Sequence, residues 1–150
     1  MNGRIARICT SFIDVPDKIS VAVYFAGCSI RCKDCQNKDL WDKNSGQLSN
    51  TKEVLEKINK HPLAEYVVIL GGEPTDQMDF LIDLCKEIKQ KNKKPIAIYS
   101  GREFEVFPKE LLDSLDLIIC GPYKSELHVG GWPASSNQRI FRKENEQWQS

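Results

Sequence analysis

The sequence lacks a dominant charge: 21 basic and 21 acidic side chains cancel over 150 residues. Proteins that coat nucleic acid or lie on anionic membranes carry a basic excess, so neither partner is expected. Long hydrophobic runs are missing too. The longest clean one, Val21–Ala26, is far short of the roughly 20 apolar residues that a membrane-spanning helix needs. Met1–Thr10 holds no apolar stretch of signal-peptide length, and a cytoplasmic protein is expected. Histidine is scarce: only His61 and His128 occur, and neither has a paired metal ligand beside it. There is no Walker loop, no G-x-G-x-x-G, no Ser-His-Asp pattern and no acid–base dyad. Internal repeats, low-complexity tracts and linkers are absent as well. One domain over residues 1–150 is expected, with a polar, fraying tail from about Lys143.

What the chain does have is a set of short, almost continuous apolar runs: Val21–Ala26, Val67–Leu70, Ile96–Tyr99 and Leu117–Cys120. Rich in β-branched residues and without polar alternation, they predict strands buried on both faces. Helical periods lie between them. Asn50 and Glu53 form a capping-box pattern ahead of Val54, Leu55 and Ile58. Phe80, Leu81, Leu84, Cys85 and Ile88 make a second stripe, and Pro108 opens a third helix carrying Leu111, Leu112 and Leu115. Strand alternating with helix predicts βαβ units and a mostly parallel sheet. Two further strands are expected near Arg4–Cys9 and Gln138–Phe141.

Each of the four runs ends in a glycine-bearing loop: Ala26-Gly27-Cys28, Gly71-Gly72-Glu73-Pro74, Ser100-Gly101-Arg102 and Gly121-Pro122-Tyr123. In parallel α/β folds the carboxyl ends of the strands lie together and bind ligands, and glycine there permits close backbone approach. The four loops should therefore converge on one edge of the sheet.

The first loop also carries Cys28, Cys32 and Cys35. Three cysteines crowded into so short a stretch of a cytoplasmic chain read as a metal or redox site. A four-iron cluster normally takes four thiolates, so three local ligands would leave one iron open to activate a substrate. A structural zinc site is the alternative, although zinc sites normally offer a second ligand pair. Cys9, Cys85 and Cys120 stand apart and read as small buried hydrophobes.

The C-x3-C-x2-C spacing after one strand and Gly71-Gly72-Glu73-Pro74 after the next resemble the radical S-adenosylmethionine superfamily. That resemblance implies a partial (β/α) barrel and a [4Fe-4S] cluster on Cys28, Cys32 and Cys35. It implies that the open iron is chelated by the amino and carboxylate groups of S-adenosylmethionine. Gly71, Gly72 and Glu73 would hold the amino group, with Pro74 shaping the turn. Glycine exposes backbone carbonyls to an ammonium, and Glu73 would add a charge-assisted hydrogen bond. Many members place an aromatic residue before the third cysteine. Here Asp34 stands there, so adenine would be met by the backbone of Asp34, Cys35 and Gln36, with Tyr24 or Tyr99 as an apolar wall.

The order CSIRCKDCQN, GGEPTDQ, YSGREFE, CGPYK and SSNQRIF, from about Tyr24 to Phe141, resembles the activating proteins of anaerobic ribonucleoside-triphosphate reductases. Ser135–Ile140 is the most family-specific piece. This implies cleavage of S-adenosylmethionine to a deoxyadenosyl radical and installation of a glycyl radical on the large reductase subunit. It also implies a reduced flavodoxin-like or similar electron donor. Arg31, Lys33 and Arg102 flank the site and are candidates to meet a substrate carboxylate or an acidic partner. Trp132 is either a contact for the reductase or a cover over the barrel mouth. Two alternatives stand: a small radical enzyme of the deazaguanine-synthase type, and a non-catalytic structural metal module.

Overall fold

The structure is a computed structural model that describes residues 1–28, 46–122, 127, 132–133, 137–145 and 147–150. Its centre is four strands, β2 (Ser20–Phe25), β4 (Tyr66–Gly71), β5 (Ile96–Ser100) and β6 (Leu117–Cys120), which pair in parallel in that order. These are the four continuous apolar runs. Val21, Val23, Val67, Ile69, Ile96, Ile98 and Ile118 point to one face and are fully buried. Ala22, Val68 and Ala97 point to the other face and are fully buried as well. Burial on both faces removes any need for polar alternation.

β1 (Asn2–Ser11) pairs antiparallel with β2, and β3 (Gln47–Asn50) pairs antiparallel with the Asn2–Ile5 half of β1. Beyond β6 come β7 (Arg139–Glu144) and β8 (Gln147–Gln149), both antiparallel to their neighbours. The described residues thus form one eight-stranded sheet in the order β3-β1-β2-β4-β5-β6-β7-β8. The expected α/β architecture is present, with a parallel centre and antiparallel flanks. The expected fraying after Lys143 gives way to β8. Trp148 supplies the reason, since it meets the Phe104 ring edge-on at 6.0 Å and lies 5.2 Å from Lys143 Nζ.

Among the described residues, helices cover one face only. α1 (Thr51–Asn59) begins at the expected capping box: Glu53 N donates to Asn50 Oδ1 at 2.8 Å, and Asn50 N to Glu53 Oε1 at 3.3 Å. α2 (Met78–Glu87) runs on through a wider π turn to Asn92, where Lys93 takes a left-handed φ of 69°. α3 is a single turn, Lys109–Leu112, shorter than the spacing of its leucines suggests. Leu115 lies past its end yet is fully buried. Val54, Leu55, Ile58, Phe80, Leu81, Leu84, Ile88 and Leu111 from these helices fill the core on this face.

The opposite face carries no helix among the described residues. It is covered by the β1–β2 connection, whose Val15 packs over Ala22, Val68, Ala97 and Leu117, and by Trp132. The result is an open, one-sided barrel segment with all four parallel strands ending along one edge.

Candidate active site

The four glycine-bearing loops converge as expected. Gly71 ends β4, and Gly27 and Gly121 follow β2 and β6; their φ values are 118°, 96° and 101°. Gly71 has a second reason to be glycine: a Cβ there would lie 2.5 Å from Phe25 O, because the ends of β2 and β4 are in close contact. Cys28 follows Gly27 at this edge, half-buried. Cys32, Cys35, Asp34 and Gln36 lie outside the described residues, as do Arg31 and Lys33.

The structure brings Cys28 and the glycine–glycine–glutamate segment together. Gly72 N donates to Phe25 O at 2.9 Å, and Glu73 N to Gly27 O at 2.7 Å. The segment therefore continues the β2–β4 ladder past the last strand residues and holds the stretch that leads into Cys28. Pro74 then opens a short 3-10 turn, Pro74–Gln77, leading into α2.

Glu73 is 1% exposed, and its carboxylate is fully engaged. Oε1 accepts from Gly101 N at 2.7 Å. Oε2 accepts from Ser100 Oγ at 2.7 Å, Thr75 Oγ1 at 2.5 Å and Thr75 N at 3.1 Å. A buried carboxylate is stable only with such donors. Its side chain thus joins the β4 loop to the β5 loop, a role the sequence alone does not reveal.

Further ties run along the same edge. Asp76 and Arg102 form an ion pair at 3.1 Å, and Gly121 N donates to Arg102 O at 3.0 Å. Arg139 reaches Glu105 with both terminal nitrogens, at 2.9 and 3.0 Å, and Glu103 at 3.3 Å. Hydrogen bonding to Arg139 lowers the Glu105 carboxyl below its usual range. Asn137 Nδ2 donates to Pro122 O at 2.8 Å, and Gln138 Nε2 to Gly121 O at 3.3 Å. Of the family-specific late segment, Asn137, Gln138, Arg139 and Ile140 are described. Asn137 and Gln138 tie it to the β6 loop; Ser135 and Ser136 lie outside.

On the helix-free face, Tyr24 and Tyr99 stand near the site end of their strands. Tyr99 Oη donates to Asp14 O at 2.5 Å and accepts from Trp132 Nε1 at 2.6 Å. Arg7 lies over the Tyr24 ring at 4.2 Å. Burial raises both tyrosine pKa values, and the nearby Asp14 adds to each, so both phenols stay neutral. Trp132 is therefore a packed cover on this face. Cys85 and Cys120 are fully buried, and burial pushes their thiols up to about 12 and about 11. That fits small hydrophobes rather than ligands. His61, hydrogen-bonded at 3.1 Å to Thr10 Oγ1, lies just past α1 and away from the site edge.

A sheet with a parallel centre, and with a cysteine-bearing segment and a buried glutamate at its carboxyl edge, makes a half-barrel, and the donor chemistry of three cysteine thiols in that segment fits an iron–sulfur cluster. The chain matches the 4Fe-4S single cluster domain family over residues 18–141 and belongs to it. It is a radical S-adenosylmethionine-type enzyme domain whose cofactors are a [4Fe-4S] cluster and S-adenosylmethionine.

The anaerobic ribonucleoside-triphosphate reductase-activating protein of Enterobacteria phage T4 is 27% identical over 136 residues, which cover 85% of this chain and 86% of the phage protein. A pyruvate formate-lyase-activating enzyme of Clostridium pasteurianum is 31% identical over 123 residues, 78% of this chain. The match spans 51% of that enzyme's length. Among solved structures, QueE from Escherichia coli shares the fold with a TM-score of 0.57 at 18% identity. That match covers 67% of this chain and 53% of QueE.

Proposed function

We propose that this chain is a glycyl-radical activating protein whose substrate is the large catalytic subunit of an anaerobic ribonucleotide reductase. The observation that carries the reading is the docking of Gly72 and Glu73 on the exit of β2, directly before Cys28. In this reading Cys28, Cys32 and Cys35 hold the cluster. When bound there, the cluster would supply the single electron for reductive cleavage of the sulfonium C–S bond of S-adenosylmethionine.

The chain's own residues bind, orient and shield. Backbone carbonyls of Gly71 and Gly72 receive the ammonium of S-adenosylmethionine. The buried charge of Glu73 favours a cation nearby, while its oxygens hold the β5 loop in register. Pro74 sets the turn. Asp34, Cys35 and Gln36 meet the adenine through their backbone. Tyr24 and Tyr99, kept neutral by burial, give an apolar wall that excludes water.

The choice of substrate is supported by likeness to the phage activating protein over most of both chains. The electron donor is of the reduced flavodoxin kind, and the setting is cytoplasmic. No helix among the described residues is long and apolar enough to cross a membrane.

Electron paramagnetic resonance tests the reading. Reduced protein, S-adenosylmethionine and the candidate large subunit are expected to yield a protein-centred doublet, and Cys32→Ala none. Active cleavage without a doublet would move the substrate to a small molecule such as a deazaguanine precursor. About four irons with matching sulfide are expected per chain. Stoichiometric zinc without sulfide would make the segment a structural metal module.

A further inference from the structure

Gln77 closes the GGEPTDQ stretch, and nothing in the sequence assigns it a role. In the structure its side-chain amide uses every hydrogen-bonding valence but one lone pair, and spends them on one spot. Oε1 accepts from Arg4 N at 2.7 Å. Nε2 donates to Arg4 O at 3.0 Å and to Ala26 O at 3.1 Å. Arg4 O also accepts from Ala26 N at 3.1 Å.

This spot is the neck of the cysteine-bearing segment. Ala26 stands two residues before Cys28, and Gly46 stands where the chain returns to form β3. Both are held at the same place. Arg4 Nη1 donates to Gly46 O at 3.4 Å, and a Cβ on Gly46 would fall 2.8 Å from Ala26 Cβ. β1 slips register against β2 between Ile5 and Arg7, just where the two strands reach this neck. The Gln77 amide pairs with both backbone groups of Arg4, as a neighbouring strand would.

We propose that Gln77, acting with Arg4, is a positioning residue that latches the neck of the cysteine segment. It fixes where Cys28 leaves the sheet and keeps the two ends of the segment together. The inference rests on the reading of that segment as cluster-bearing. Pinning both ends removes much of the entropy that the segment would otherwise lose on gathering its thiolates around one centre. Groups that orient metal ligands from behind typically change metal affinity by about 10- to 100-fold when replaced.

Gln77→Glu is the discriminating variant. It preserves shape and the acceptor for Arg4 N, but sets a carboxylate oxygen against the carbonyls of Arg4 and Ala26. Two readouts are taken. In the anaerobically reconstituted protein, a chelator is expected to strip iron from Gln77→Glu roughly tenfold faster than from the parent. In metal-free protein, hydrogen exchange at Ala26–Cys28 and Gly46 is expected to speed up.

Lys89→Met serves as the structural control. It removes the 2.7 Å pair with Asp116, which also caps Ile96 N at the start of β5, far from the neck. It is expected to lower stability and leave both readouts unchanged. Should Gln77→Glu fail to fold, Arg4→Met deletes only the reach to Gly46 and is expected to shift both readouts in the same direction. Iron loss and exchange at parental rates in these variants would overturn the latch. A parent that binds no iron would instead sink the cluster reading, and the exchange measurement would still decide the latch.

Discussion

Glu73 shows how one side chain serves two loops. Four donors from Thr75, Ser100 and Gly101 converge on its carboxylate in a buried setting. Glu73→Gln replaces one oxygen with a donor and sets it against other donors. It is expected to cost about 2 kcal/mol, read as a lowered midpoint in urea unfolding of the metal-free protein. The buried thiols set a pH limit. Cys85 and Cys120 are pushed from 9.0 up to about 12 and about 11 when folded. Between those values the folded chain holds protons that the unfolded chain has released. Stability is therefore expected to fall as pH rises from about 9 towards 11. Urea titrations across that range check it, and Cys85→Ala is expected to flatten the slope. Alkylation mapping of metal-free protein at neutral pH should label Cys28 well before Cys85 or Cys120.

At the scale of elements, the strands with apolar runs and the helices with stripes were legible because their burial is written in side chains. β3 and β8 were not. In β3 only Ser49 is buried, and the strand exists because its backbone pairs with Asn2–Ile5. β8 likewise depends on Trp148 finding Phe104, a contact that no local pattern announces. The α1 capping box was readable from Asn50 and Glu53 alone. Asn50→Ala is expected to cost about 1 kcal/mol, seen as a lower thermal midpoint. Gly71→Ala tests the contact between β2 and β4. A methyl group there has no space beside Phe25 O and no relaxed φ. The variant is expected to destabilise by several kcal/mol and to lose iron binding, measured by unfolding and by iron content.

For the whole molecule, the edge where the site forms was predictable from four glycine-bearing loops, since parallel strands bring their ends together. The ties that stiffen that edge were not. Gln77 meets Arg4 across 73 positions, and Ser100 meets Glu73 across 27. Polar contacts at such separations leave no periodic trace in a sequence. The core on the helical face is ordinary by comparison: Leu84→Ala, from full burial, is expected to cost about 2–5 kcal/mol in unfolding experiments.

The separation between Cys28 and the groups that hold its neck also orders events during synthesis. A ribosome makes the cysteines first, then Gly46, and only later Gln77 and the Ser100 strand that Glu73 grips. Since chains emerge from the amino end, the thiols reach the cell before anything can gather them. A nascent chain that has passed Gly46 still lacks Gln77, whereas the released chain carries the amide that holds Ala26 O. On the proposed cluster role of Cys28, iron loading is therefore expected to follow release of the chain, read as the iron content of stalled against completed chains.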